Sequence, residues 1–522
     1  MNEPSCRTLA VIWLGLTVIN LSIADETIGP SNACISTIEE NGIDALMAQA
    51  EKGYASAQLK LGIMYSNGQG VPMDVAEAVK WWSKAAEQGD VIAQELLGVA
   101  YANGEGVTKD VVEAAKWYRK AAEQGYAPAQ EMLGGAYVSG IGVATDYSEA
   151  VKWWSKAAEQ GQATAQYNLG VAYANGEGVT KDDAESLKWY RKAAEQGNAL
   201  AQDMLGFAYA TGKRVAKDYS EAVKWYRKAA DQGDAEAQLK LGYMYSNGEG
   251  VSKDVAEAVK WWSKAAKQGD AFAQTMLGVA YVNGEGVTKD EVEAVKWYRQ
   301  AAEQGDVISQ DMLGIAYANG QGVAKDDAEA VKWYRQAAEQ GYAESQVKLG
   351  FMYARGQGVA KNLTEASKWH RKAAEQGDRE AQDILGLAYA EGQGVPKDAV
   401  EAAKWYRKAA DMGNPIAQYH LAIAHAKGEG LPENPSEAVK WYQRSARQGF
   451  SESQYLLGMI TSAGRGVDVN TVEGLKWILI AIAQGHEKAG LLRAKLEDGM
   501  SLEQIKEATT LAKQFEPKTE TH

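Results

Sequence analysis

Small and apolar side chains recur four residues apart in two kinds of short stretch, and the two kinds alternate along most of the chain. In "SAQLKLGIMYSNG" (residues 56–68), Ala57, Leu61 and Tyr65 share one face of a predicted helix, helix A, and Gly62 leaves room for another helix to come close. In "EAVKWWSKAAEQGD" (residues 77–90), Ala78, Trp81 or Trp82, Ala85 and Ala86 form a stripe of small residues around one large ring on a second helix, helix B. The pattern then repeats. Tryptophan returns at Trp81, Trp117, Trp153 and onward to Trp477, always 36 residues apart, and glycine keeps the same step from Gly53 to Gly485. A fixed period of this size is the signature of stacked repeats, so residues 54–485 read as twelve two-helix repeats of a solenoid.

The ends of the helices are also written in the sequence. Asn67 and Gly68 should stop helix A, because glycine takes the left-handed backbone that closes helices. Asp74 with Glu77, Asp110 with Glu113, and later Asn434 with Glu437 and Asn470 with Glu473, place a capping side chain three residues before a glutamate. The spacing predicts reciprocal caps, each stabilising the start of a B helix by roughly 1 kcal/mol. Residues 211 to 215 read Thr, Gly, Lys, Arg, Val, so Arg214 stands where related loops have a second glycine. That loop should be strained or differently shaped.

A tryptophan buries about 150–250 Å², which at roughly 25 cal/mol per Å² is worth up to about 4–6 kcal/mol. One repeat alone has nowhere to bury it. The recurring helix is therefore a building block whose partner is its own copy, and the tryptophans are structural.

Three features carry a resemblance. "LG-x-x-Y" in helix A (Leu61, Gly62, Tyr65) resembles tetratricopeptide repeats, whose period is 34, whereas the period here is 36 and the glycine loop is longer. The combination "AQ-x-x-LG-x-x-Y-x-x-G-x-GV" with "D-x-x-EA-x-KWY-x-KAAEQG" resembles the Sel1-like repeat family over residues 54–485. The resemblance implies an all-α, right-handed superhelical solenoid acting as an adaptor in protein complexes, in bacteria often an exported one. Some secreted, cysteine-rich members have been linked to penicillin binding or hydrolysis. This chain has no cysteine pair in any repeat, which sets it apart from them.

By analogy with tetratricopeptide arrays, two positions of helix A, starting with Leu59 and Ile63, should face a concave groove. The first series includes Glu95, Glu131, Tyr167, Asp203, Asp311, Asp383 and Tyr419; the second includes Phe207, Tyr243 and Phe351. Acids alternating with apolar and aromatic side chains would suit a peptide or a protein surface carrying Lys or Arg. Packing between helices is the competing explanation for both series. Residues 59–90 and 239–270 are nearly identical, which lengthens a surface without adding chemistry.

Composition narrows the picture further. The 522 residues, 46% hydrophobic and 24% charged, belong to a folded chain, and the 16 tryptophans and 26 tyrosines against 5 phenylalanines reflect the repeat. A net charge of −14 with no basic block argues against nucleic acid as a partner. Residues 8–24, "TLAVIWLGLTVINLSIA", follow Arg7 and resemble a signal peptide cleaved after Ala24, which would make the protein periplasmic or secreted. A retained anchor is the alternative, although 17 residues fall short of the roughly 20 that span a bilayer. With Cys6 removed, Cys34 would be the lone thiol.

The expected organisation is thus a signal peptide (1–24), an N-terminal segment and capping helix (25–53), twelve repeats (54–485), and C-terminal capping helices and tail (486–522). Residues 37–52 read as a lone B helix with Ala45 in the tryptophan register, and Ser501 with Gln504 opens a closing helix.

Catalytic and metal chemistry find little support. His370 and His425 occupy tyrosine positions of the repeat, and His420 and His425, five apart, point to different helix faces. One S-x-x-K occurs, at Ser345 and Lys348, without the S-D-N and K-T-G that complete a β-lactamase set. The expectation is a non-enzymatic protein-interaction scaffold that needs no cofactor and no metal. The alternative is an exported β-lactamase-like or penicillin-binding hydrolase.

Overall fold

The computed structural model describes residues 40–518, among which there are 27 helices and no strands. The expected signal segment, Cys6 and Cys34 lie outside the described residues. Helix Glu40–Glu51 comes first; twelve A and twelve B helices of 13 residues follow, from Ala55–Asn67 to Thr471–Ala483; Ala489–Glu497 and Leu502–Lys513 come last. Within each half every A helix packs on the B helix of its own repeat and each B helix on the A helix that follows, so the architecture is an α/α solenoid of 36-residue repeats; the closing helix Leu502–Lys513 packs back on Thr471–Ala483. The chain forms two compact halves, one ending at Gln268 and the other beginning at Gly269. Six A and six B helices belong to each.

Within each half the core is made of small residues around rings. In the N-terminal half, Trp117 packs with Ala78, Val79, Trp82 and Leu97, and so bridges successive repeats; in the C-terminal half Trp405 does the same against Val347, Ala373, Ala374 and Leu385. Gly62 faces the second tryptophan of its own repeat so closely that a Cβ there would lie 2.4 Å from Trp82 Cδ1. Contact of that kind leaves no space for any side chain on the A helix. A lysine one turn on covers the outer face of the seam tryptophan, as with Lys84 at 3.9 Å and Lys264 at 3.7 Å from the ring centres of Trp81 and Trp261.

All twelve B helices are capped as expected on one side. Asp74 Oδ1 accepts from the Glu77 amide at 3.0 Å, and Asn470 Oδ1 from the Glu473 amide at 2.9 Å. The return half of the cap is absent, because the Asp74 amide donates instead to the Tyr65 carbonyl at the end of helix A (2.9 Å). The glutamate is thereby released and pairs with a lysine three residues on, Glu77 with Lys80 at 2.6 Å. Ser501 and Gln504 do form the complete reciprocal box.

A second cross-brace recurs along each half. Gln94 Nε2 donates to the Ala86 carbonyl of the preceding B helix (3.0 Å), and Gln94 Oε1 accepts from Gln124 at the end of its own B helix (2.9 Å). Gln310 repeats this with Ala302 and Gln340 in the other half. The glutamine thus ties one repeat's last turn to the next repeat's two helices. The brace is broken where Met412 replaces the helix-ending glutamine, leaving Gln382 Oε1 buried without a partner. Met412→Gln is expected to stabilise the C-terminal half by about 1 kcal/mol. Chemical denaturation checks this, and an unchanged midpoint would show that the orphaned oxygen costs nothing.

Arg214 is the one residue other than glycine with a positive φ among the described residues, at 73°. In the flanking loops a Cβ would lie 2.1 Å from the Tyr147 carbonyl oxygen at Gly178 and 2.2 Å from that of Tyr219 at Gly250. A side chain at this position therefore requires the loop to stand off. The Arg214 side chain is buried and its Nε meets Asp183 Oδ1 at 2.9 Å, a contact that helps hold the strained backbone. Arg214→Ala keeps the strain and loses the ion pair, whereas Arg214→Gly loses both. The glycine variant should be the more stable of the two by about 1 kcal/mol; equal melting temperatures would refute the strain.

Candidate protein-interaction face

The A helices present two kinds of position that the sequence placed on a groove, and the structure separates them. Residues of the first series point at the neighbouring A helix. Asp203 and Asp311 are buried, as are Tyr167 and Asp383. Lys240, on the next A helix, meets the two Asp203 oxygens at 2.9 and 2.7 Å and Glu236 at 3.0 Å. Burial works against the charge of Lys240, but Asp203 and Glu236 outweigh it and hold its pKa above the usual value. Asp311 accepts from Ser345 Oγ and from Lys348 Nζ, both at 2.6 Å. Asp383 accepts from His420 Nδ1 at 2.8 Å.

The acids expected to grip a basic partner are therefore committed to their own chain, which corrects the surface role given to Asp203, Asp311 and Asp383. Tyr167 is likewise withdrawn into the core, with its ring 5.8 Å from that of Tyr190. Glu95 and Glu131 are half-buried. Glu95 accepts from Tyr126 Oη at 3.1 Å, and burial raises its pKa in spite of that bond. Glu131 is pushed up to about 7, first by burial and then by the negative charge of Glu95. Tyr419, also of this series, is half-buried among Tyr442, Phe450 and His420.

The aromatic residues of the second series keep a partly open edge, whereas Val171 at the same position is buried. Phe207, Tyr243 and Phe351 are half-buried, with Tyr243 edge-on to Trp262 at 5.8 Å and Phe351 edge-on to His370 at 5.2 Å. Leu387, at the same position, is exposed. The pairing of Asp203 with Lys240, Asp311 with Lys348 and Asp383 with His420 had a signal in the sequence. Each pair is separated by 37 residues, one repeat plus one position.

Hydrolase chemistry finds no foothold at the S-x-x-K. Ser345 is fully buried and both its hydroxyl and Lys348 are turned to Asp311, so no substrate carbonyl can reach the oxygen. His370 packs against Gly350 where all other repeats but the last, which has Ile478, place Tyr or Trp, and burial lowers its pKa to about 4. His425 Nε2 meets Arg407 at 3.1 Å, as Tyr317 Oη meets Arg299 at 2.7 Å. Both histidines thus fill the places of aromatic residues. Among the described residues no group of three His, Cys, Asp or Glu is placed to hold a metal ion. No helix among them is long and apolar enough to cross a membrane.

The Sel1 repeat model matches twelve consecutive segments, from residues 55–90 to 451–486. A solved protective antigen of uropathogenic Escherichia coli, described as displaying an SLR fold, is 40% identical, with 84% of this chain and 94% of that chain covered and a TM-score of 0.76. A Sel1 repeat protein from Oxalobacter formigenes is 33% identical, covering 59% of this chain and 90% of its own, with a TM-score of 0.49. Cysteine-rich protein B of Helicobacter pylori is 29% identical over 26% of this chain and 96% of its own, with a TM-score of 0.22. No protein of curated function matches. The twelve matched repeats and their helix pairs place this chain in the Sel1 repeat family.

Proposed function

We propose that this chain is a non-enzymatic scaffold, exported to the periplasm or beyond, that binds a partner protein or peptide along the A-helix face. Sel1 repeat proteins are generally protein-interaction scaffolds, and the repeat architecture suggests protein partners for this one. The observation that carries the reading is that in each half, half-open aromatic side chains stand at one A-helix position, Phe207 and Tyr243 in the N-terminal half and Phe351 in the C-terminal half, which the B helices leave partly uncovered. Side chains of this kind are enriched in protein interfaces. With the buried acids paired internally, recognition on this face falls to ring edges more than to charge. Net acidity disfavours nucleic acid as the partner. Export is supported by the apolar N-terminal segment and by the similarity to a protective antigen.

Photo-crosslinking residues introduced at Tyr243 and Phe351, and at the exposed Lys116 of a B helix, would test the reading in the native cell. Discrete adducts from the first two positions and none from the third are expected. Adducts from Lys116 alone would move the interface off the A-helix face.

A further inference from the structure

Two cavities open at equivalent places in the C-terminal half, 108 residues apart along the chain. One, of about 80 Å³, is lined by Val282, Glu291, Val295, Tyr298, Met312 and Ile315, among others. The other, of about 210 Å³, has Ala390, Ala399 and Ala403 where the first has Val282, Glu291 and Val295, and His420 where the first has Met312. Tyr406 and Ile423 keep the places of Tyr298 and Ile315. Three of the exchanges shorten the side chain, one on helix Arg379–Glu391 and two on helix Ala399–Asp411, and the cavity that carries them is the larger. An apolar cavity of about 150 Å³ holds a benzene ring, so the larger cavity admits a six-membered aromatic ring and the smaller does not.

The exchange of Met312 for His420 changes the chemistry as well as the size. Asp383 holds His420 Nδ1 at 2.8 Å, which requires the proton on that nitrogen. An imidazole that gives its Nδ1 proton to a carboxylate and carries no second proton offers Nε2 as a hydrogen-bond acceptor. Tyr406 lies 4.8 Å from the His420 ring, tilted by 34°, and fixes the imidazole from one side. Lys397 and Glu429 stand in the lining as the charged members. A ring-sized cavity lined by alanines and by a histidine held through its Nδ1 suits an aromatic ring that carries a hydrogen-bond donor.

We propose that this cavity receives a phenol ring, the tyrosine side chain of a partner protein, with the ring against Ala399 and Ala403 and the hydroxyl donating to His420 Nε2. The scaffold reading supplies only the source of the tyrosine; the cavity's selectivity stands apart from it. Ligand-observed NMR and calorimetry on the full chain with p-cresol, 4-methylanisole and toluene test the selectivity. The three probes share the ring, and p-cresol alone donates a hydrogen bond.

p-Cresol is expected to bind about fivefold more tightly than either of the others, the ratio one neutral hydrogen bond supports. Ala403→Val, which restores the residue of the smaller cavity, should weaken p-cresol at least tenfold. The double variant Asp383→Thr with His420→Met rebuilds the pair found at Thr275 and Met312, so it has a precedent in the same fold. It should bind all three probes alike. Equal affinities in the unmodified chain, undiminished binding by the Ala403→Val variant, selectivity that survives the double variant, or no binding of p-cresol at all would each overturn the proposal. Adducts at Tyr243 would persist if only the cavity were misjudged, and p-cresol selectivity would persist if only the scaffold reading failed.

Discussion

Replacing Trp261 by alanine is expected to destabilise its surroundings by about 3–5 kcal/mol, the largest loss from any single substitution considered for this chain. Trp261 is 6% exposed and packs with Ala222, Val223, Tyr226, Ala229, Leu241 and Met244, which belong to the preceding B helix and its own A helix. The alanines and the valine among these neighbours are too short to reach into the vacated space, so a cavity remains and adds to the lost transfer free energy. Lys264 also loses the ring face above which its ammonium sits at 3.7 Å.

In a repeat array stability is a sum of local terms, so the loss should appear first at helices Tyr219–Asp231 and Val255–Lys267. Native-state hydrogen exchange resolved by helix measures it. Trp333 is only half-buried, and Trp333→Ala should cost distinctly less. Equal losses at both sites, or a loss at Trp261 below about 1 kcal/mol, would mean that the tryptophans do not cement the repeats.

What the sequence disclosed and what it hid divide along physical lines. The period, the helix pairs, the aspartate and asparagine caps and the closing Ser501 box depend on local spacing, and local spacing is printed in the chain. The face of the A helix is set by how far one helix turns relative to the next, which spacing within one repeat does not specify. The tetratricopeptide analogy placed Asp203, Asp311 and Asp383 toward a partner; in the structure that position meets the following A helix instead. The half-capped B helices have the same origin, since the competing acceptor for the Asp74 amide is Tyr65 of helix A, nine positions away and across a loop. The two glutamines of the brace stand 30 residues apart, as in Gln94 with Gln124 and Gln310 with Gln340, but its other partners are carbonyl groups that no sequence pattern names.

The half-buried Glu131 also gives the chain a pH dependence of definite sign. Its pKa in the folded protein is about 7, raised from 4.5 by burial and by Glu95. Between those values the folded state holds a proton that the unfolded state has released, so the stability linked to this group is fully present below about 4.5 and is lost as the pH rises through 7. A shift of that size corresponds to about 3 kcal/mol, and partial solvent access reduces the expectation to about 1–3 kcal/mol. Glu131→Gln removes the charge and keeps the shape. It should therefore stabilise the N-terminal half by about 1–3 kcal/mol at pH 8 and change little at pH 4.5. Denaturation midpoints of both proteins across that range decide the matter. A gain that is the same at both ends would trace to packing, and a gain confined to acid pH would reverse the sign of the linkage and with it the claim that Glu131 is held protonated between the A helices.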